Sequence, residues 1–504
     1  MSRQLVRNSA ANFAAAALPA VAMLVTLPLI VRFLGVEDYG VLTMVMAITG
    51  YFAVVDINVT AGSVKYISEY HAKRDLDRVY QVVGFGALFY LVLGFVGAVG
   101  IYLSAPWVIA WLFELPPDKI ELTIEVMRLA ALGFLFGQLQ VYLNSIPQAL
   151  HRFDLTALVE SFFGTLIPVL SVSLLWQGYG LKELVILRVA SSALHGLILV
   201  AVVLHLLPGF KLRRPTAETA RKLWSFSGYA YLNRLAAMTY AQADKIIVGS
   251  LLGMGALAHY SVATQIIGRI TGLTFRLTSV LYPAASAMEA RGEMDRLKGI
   301  YFTASRYITF LNGATILLVC LYGREILHYW MGPEFATEGY WVMVFMAVAM
   351  FVDSLTTIPS LLNDAFGKPR NTGIFALLRV VFATAMTYFL ARNFDLDVVA
   401  VGQTLSALVF GFGFVLFIHG RSIPWPFAEL VMRSYVRPFL AFVVVLIVGV
   451  LLRQAPVMEL HVVAGEALVC AILIAALGYF WVLQRDHRHY VISFLSFIGP
   501  LVRK

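Results

Sequence analysis

Charge is what this chain has least of. Asp, Glu, Lys and Arg make up 13% of its 504 residues, about half of the roughly 25% that a soluble domain carries. With 60% of residues hydrophobic, a water-soluble globule of this length is excluded, and lipid must be part of the solvent. Cysteine is nearly absent. Cys320 and Cys470 lie in separate apolar stretches, which argues against a disulfide framework or a thiolate metal centre. The 10 histidines are scattered, with only His487 and His489 close together, so zinc-type ligand spacing is missing. No Walker-type phosphate loop occurs. The run Gly253-Met254-Gly255-Ala256-Leu257-Ala258 imitates a dinucleotide fingerprint, but in a short turn between apolar stretches rather than after a strand. No metal and no cofactor are expected. Connections on the poorly charged side are short and hold few acids or histidines, which argues against an enzyme of the polymerase or ligase kind.

What the chain does have is apolar length. Fourteen stretches, from 11–33 to 462–483, are each long enough for a helix of roughly 20 residues to cross a bilayer. The first begins after Arg3 and Arg7 and runs on to Val31, too far for a cleaved signal peptide, and is read as a retained helix. Basic residues separate cleanly between the two sets of connections. About 24 fall on one side, and about 6 on the other: Arg32, Lys119, Lys182, Arg324, Arg392 and Arg453. The positive-inside rule then puts both termini in the cytoplasm and requires an even number of spans. The net charge of +9 is therefore topological, and no nucleic-acid partner is expected.

Landmarks recur. Leu34-Gly35 before Tyr39 matches Leu252-Gly253 before Tyr260, and Ile146-Pro147 matches Ile358-Pro359, at offsets of 212 to 218 residues. Six spans per copy keep the copies parallel, as in many transporters. The expected fold is all-α and polytopic. A first lobe occupies 1–210, a second 211–425, and two further helices with a cytoplasmic tail occupy 426–504. Gly133-x-x-x-Gly137 and Gly94-x-x-Gly97-x-x-Gly100 read as sites of close helix packing.

Eight basic residues remain inside spans: Arg128, Arg188, Arg234, Lys245, Arg269, Arg276, Arg306 and Arg379. A cation at that depth costs at least about 2.5 kcal/mol, so each is a functional candidate. Arg128, Arg188 and Arg306 lie near span ends, where they can snorkel. At the offset of the repeat, Arg234, Asp244 and Lys245 stand where the first copy has Ala16, Thr26 and Leu27, so the scaffold itself does not demand charge there. Arg269 and Arg276 share a helix face. Arg234, Lys245, Arg269 and Arg276 suit a polyanion such as a pyrophosphate, since arginine forks onto phosphate oxygens. Arg379 is a further candidate. Asp56 and Asp244 are candidates for coupling to a cation. The competing reading is internal pairing, with Asp56, Asp244, Glu160, Asp353 and Glu466 as the available carboxylates.

The run from Val31 to Gly40, followed by Asp56 and Lys65, resembles the opening of the bacterial Wzx-type polysaccharide flippases. Asp244-Lys245-Ile246-Ile247-Val248-Gly249, Leu252-Gly253 and Tyr260-Ser261-Val262-Ala263 are similar to that family's seventh and eighth helices. The motifs are loose and shared with lipid II flippases and multidrug extruders of the same superfamily. The resemblance implies a transporter of the bacterial cytoplasmic membrane. Its cargo would be an oligosaccharide on undecaprenyl pyrophosphate, moved for exopolysaccharide, capsule or O-antigen synthesis, with polymerase and export components as partners. It also implies that Lys65, Arg269 and Arg276 line a cationic cavity. A multidrug–cation antiporter of the same fold and a membrane glycosyltransferase or polymerase are the alternatives.

Overall fold

The computed structural model describes residues 3–488 apart from 57, 212, 214–215, 279–280 and 454–458. The described residues are almost entirely helical and contain no strand. Two compact units, Met1–Ala258 and His259–Lys504, divide the chain.

The first unit holds α1 (Arg3–Leu34), α2 (Val36–Phe52), α3 (Val59–Ala72), α4 (Leu76–Leu112), α5 (Pro117–Ala149), α6 (Phe153–Trp176) and α7 (Leu181–Leu206). It also holds the start of α8 (Ala217–Thr278), which is interrupted at Gly253. The second unit continues with α9 (Leu281–Ala290), α10 (Met294–Met331), α11 (Pro333–Glu338), α12 (Tyr340–Ala365) and α13 (Pro369–Asn393). It closes with α14 (Leu396–Ala407), α15 (Gly413–Arg421), α16 (Phe427–Leu430), α17 (Val436–Leu452) and α18 (Leu460–Leu477). Among the described residues, 11 helices are long and apolar enough to cross a membrane, and the chain is a multi-pass membrane protein. The expected spans 11–33 and 122–146, which those helices do not include, fall on α1 and α5, and the expected spans 223–249 and 257–283 share α8, which counts once.

The helix ends follow from local chemistry. Proline opens α5, α11 and α13, where the missing N–H is no loss. The Asp75 carboxylate accepts from the Arg78 amide at 3.1 Å and caps α4. Backbone features recur at about the offset of the sequence landmarks. Gly35 (φ 89°, ψ 156°) and Gly253 (φ 86°, ψ 177°) make the same helix break. Left-handed turns at Arg74 and His151 (both φ 58°) find counterparts at Gly292 and Gly367 (both φ 71°), 218 and 216 residues on.

Lipid offers no hydrophobic drive for helices to associate, so shape holds each unit together. A methyl group on Gly86 would sit 2.1 Å from the Tyr142 ring, and the fully buried Tyr142 hydroxyl donates to the carbonyls of Val82 and Val83 at 3.0 and 3.1 Å. In the second unit a methyl on Gly313 would lie 2.4 Å from the Phe442 ring. Gly94 and Gly97 pack as expected, against Leu135 and Phe134. Trp111 and Trp176 stand exposed at the last turns of α4 and α6, the positions of an interfacial aromatic belt. On the poorly charged side, Lys119 reaches Glu37 and Asp38 at 2.8 Å each and Lys182 reaches Glu125 at 2.6 Å. Hydrogen bonds to Asp38 first and then Glu37 hold the Lys119 ammonium above its ordinary value.

Candidate functional site: an arginine in a lipid-depth cavity

α2, α5, α6 and α7 of the first unit line an open cavity of about 590 Å³. Its walls are largely apolar, and small residues open it. Gly133 and Gly137 of α5 border it, and a side chain on Gly137 would meet nothing within 4 Å. Gly137 therefore differs from the packing role read from sequence, making room rather than contact, whereas a side chain on Gly133 would meet Val189 at 3.4 Å. The polar lining is sparse and specific. Arg188 and Ser192 come from α7, Gln138 from α5 and Thr49 from α2.

Arg188 is the one charged group among the lining residues. Its Nε is shut away from solvent with no hydrogen-bond partner among the described residues, and so is the Gln138 Oε1. A guanidinium is hard to strand in this way, because each unsatisfied N–H in a dry setting costs free energy. Such a group is a receptor for an acceptor-rich ligand or for water. Ser192 and His195 follow Arg188 at four and seven residues and so share its helix face. The Ser192 hydroxyl accepts from Gln140 at 2.6 Å, and the His195 ring stacks on Phe163 at 4.5 Å. Arg188 thus lines a cavity instead of snorkelling to the interface. Arg128 lies 5.0 Å over the Tyr102 ring.

The buried Asp56 marks a break in the second span. Between a short 3-10 turn and α3, its Oδ1 accepts from the Asn58 amide at 2.9 Å and from the Tyr90 hydroxyl at 2.7 Å. Asn58 takes the left-handed conformation (φ 61°), tolerable for Asn because its side chain bonds locally; its Oδ1 accepts from the Thr60 hydroxyl at 2.7 Å. Asp56 therefore secures the unwound backbone where the helix restarts.

The other sequence candidates are dispersed. Lys65 is exposed with its ammonium 5.2 Å from the Tyr66 ring. The Lys245 ammonium donates to the Ala241 carbonyl at 2.8 Å, and its amide donates to Asp244 at 2.8 Å. Arg269 is exposed in the second unit. The side chains of Arg234 and Arg276 lie outside the described residues. Arg379 of α13 forks onto Asp353 of α12, with Nη2 to Oδ2 at 2.9 Å and Nη1 to Oδ1 closer still. Arg379 borders a small cavity of about 120 Å³ with Thr356, Ser360 and Phe375. Glu160 accepts from Asn144 at 2.5 Å. Arg306, expected to snorkel, is 8% exposed and donates to the Arg433 carbonyl.

Known proteins frame this geometry. The family described as "Polysaccharide biosynthesis protein" matches residues 29–338. A putative O-antigen transporter of Shigella flexneri is 20% identical over 416 residues, 80% of this chain and 95% of that protein. A probable flippase, AglR, of Haloferax volcanii is 22% identical over 258 residues, 51% of this chain and 53% of that protein. Among solved structures, lipid II flippase MurJ in an inward closed conformation aligns with a TM-score of 0.72 at 11% identity, covering 96% of this chain and 100% of that one. An inward-facing multidrug resistance MATE family transporter aligns at 0.67 with 15% identity, covering 82% and 99%. At such identities the likeness is one of fold.

Proposed function

We propose that this chain, which belongs to the polysaccharide biosynthesis protein family, is a flippase for a lipid-linked oligosaccharide. The cargo is an oligosaccharide repeat unit on undecaprenyl pyrophosphate, carried across the bacterial cytoplasmic membrane by alternating access and released for exopolysaccharide, capsule or O-antigen assembly. Fourteen spans with both termini in the cytoplasm fit that task. The protein performs no chemistry on its cargo. Support comes from the names of its relatives, an O-antigen transporter and a flippase, and above all from one observation. The cavity of the first unit is apolar except for a few hydrogen-bonding groups and a single guanidinium whose Nε lacks a partner among the described residues.

That combination suits an anionic, hydroxyl-rich head group. Arg188 supplies charge at a depth where water is scarce and a bidentate fork for phosphate or a uronic carboxylate; Gln138, Thr49 and Ser192 supply neutral hydrogen bonds for sugar hydroxyls. Arg269, Arg276, Arg234, Lys245 and Lys65 serve the pyrophosphate along its path, with Arg379 joining them only as an ion pair with Asp353. Asp56 and Asp244 are the groups through which a cation gradient would act. A drug–cation antiporter of the same fold would want a carboxylate where Arg188 stands.

The test is complementation of a strain lacking the gene. Wild type restores surface glycan. Arg188→Gln, checked for membrane insertion, should cut export at least about tenfold, as loss of a charge-assisted contact of roughly 1.5–3 kcal/mol requires, and lipid-linked repeat should accumulate on the inner leaflet. Full export by that variant, or accumulation on the outer leaflet, would count against the reading.

A further inference from the structure

At the basic end of the second unit, a second cavity of about 500 Å³ opens between α10, the start of the α17 span and the segment after α18. Arg296, Arg306 and Arg433 line it, together with Thr303, Gln484 and His487. None of these was among the cargo candidates. We infer that it binds the phosphate of a lipid head group.

Charge comes first. Arg291, Arg296, Lys298, Arg306 and Arg433 gather here against two carboxylates. Glu293 is shared by Arg291 at 2.6 Å and Arg296 at 3.2 Å, and Glu429 by Lys298 at 2.9 Å and Arg433 at 3.1 Å. Arg306 has no carboxylate within ion-pair distance among the described residues. Lys298 and Arg433 also crowd one ring, at 5.9 and 5.6 Å from the Phe302 centroid. Like charges held so close leave positive charge in excess, which the phosphate of a lipid head group offsets.

Depth comes second. Arg306 is 8% exposed and its guanidinium rests on the backbone carbonyl of Arg433, about 18 Å along α10 from its first residue at 1.5 Å per residue. Arg296 and Arg433 are mostly solvent-accessible, with side-chain exposures of 70% and 59%. The cations thus form a ladder from the aqueous rim to the edge of the hydrocarbon, the profile of a basic pocket between helices that holds an anionic head group. Hydroxyl and amide groups complete it: Gln484 Nε2 donates to Thr303 at 3.0 Å, and Tyr307 meets His487 at 2.7 Å. Charge bias assigns this end to the cytoplasm, where anionic phospholipid and the cargo's pyrophosphate are both present.

The experiment uses the full-length protein, delipidated in detergent, with bound ligand counted by native mass spectrometry and thermal shift measured in parallel. Phosphatidylglycerol should be retained at least about fivefold better than phosphatidylcholine, and Arg296→Gln with Arg433→Gln should abolish the preference. Both residues are exposed, so the double variant is expected to fold, as its unliganded melting temperature will verify. Farnesyl pyrophosphate displacing phosphatidylglycerol would assign the pocket to the cargo's head group, while failure to displace would assign it to membrane lipid. Equal retention of the two phospholipids with no shift from farnesyl pyrophosphate, or a preference unchanged in the double variant, would overturn the inference. The flippase reading rests on Arg188 in the other unit and survives that result.

Discussion

The Arg379–Asp353 pair gives the sharpest test, because latch and cargo contact leave different signatures. The two side chains are 17% and 25% exposed and meet through two N–H···O contacts. Fully exposed pairs contribute about 0–1 kcal/mol, whereas removing one member of a buried pair costs about 3–5 kcal/mol by stranding the other charge. A pair that keeps roughly a fifth of its exposure falls between, and Arg379→Met should destabilise by about 2–3 kcal/mol, roughly 30- to 150-fold in the folding equilibrium. Arg379→Met with Asp353→Leu removes both charges of the pair together and should return to within about 1 kcal/mol of wild type. Asp353→Leu alone strands the guanidinium and should cost about as much as Arg379→Met, so the coupling energy comes to at least about 3 kcal/mol. Reversible unfolding in mixed micelles measures all four corners, and export assays on the same four proteins separate the roles. A double variant that folds but does not export makes the pair part of the cargo path; one that folds and exports makes it a latch between α12 and α13. A stable single variant, or a double as unstable as the single, would refute the reasoning.

Three further outcomes follow from packing and hydrogen bonding. Gly86→Ala drives a methyl into the Tyr142 ring, 2.1 Å away, and because two backbone carbonyls hold that ring's hydroxyl the cost should reach the upper part of the usual 1–3 kcal/mol for overpacking, read as a lower apparent melting temperature. Tyr90→Phe removes the donor at 2.7 Å from Asp56 and should cost about 1.5–3 kcal/mol, the range for a hydrogen bond to a charged group; hydrogen exchange around 56–60 should rise, and unchanged exchange would argue that Tyr90 is a bystander. Lys119→Met should cost up to about 1 kcal/mol. Its folded-state value is raised, so the wild-type contribution is full below the ordinary lysine range near 10.4 and disappears only as pH rises past the raised value. A Lys119 contribution that faded on going from pH 6 to 9 would contradict this.

Hydropathy and charge bias made the membrane class legible, because both depend on depth alone. One pair of sequence landmarks has a local cause: Gly35 and Gly253 each take a positive φ at a helix break, which glycine adopts without strain. Azimuth is what one sequence conceals. Arg188 sits near the start of α7, so its depth suggested snorkelling; only the packing of α2, α5 and α6 around it turns that face inward. A signal was present in the polar spacing Arg188, Ser192, His195 on an otherwise apolar helix. Gly137 is ambiguous for the same reason, since a missing side chain looks alike in sequence whether a neighbour or a void fills the place. The sequence offers Asp353 as one of several carboxylates for the intramembrane cations, and the contact of α12 with α13 is what pairs it with Arg379. The break at Asp56 was hidden because Asn58 tolerates a left-handed backbone without the glycine that usually announces one.

The seats that Gly86 and Gly313 offer to aromatic rings imply two tempos of divergence for this chain. Phe95, Val200 and Val381 stand 61%, 40% and 68% exposed and, where they meet acyl chains, can be exchanged among oily residues without altering the bundle. A glycine under a ring cannot change unless the ring shrinks in the same lineage. Mutational libraries of this protein should therefore look permissive across most of the outer shell and frozen at a few pairs of positions.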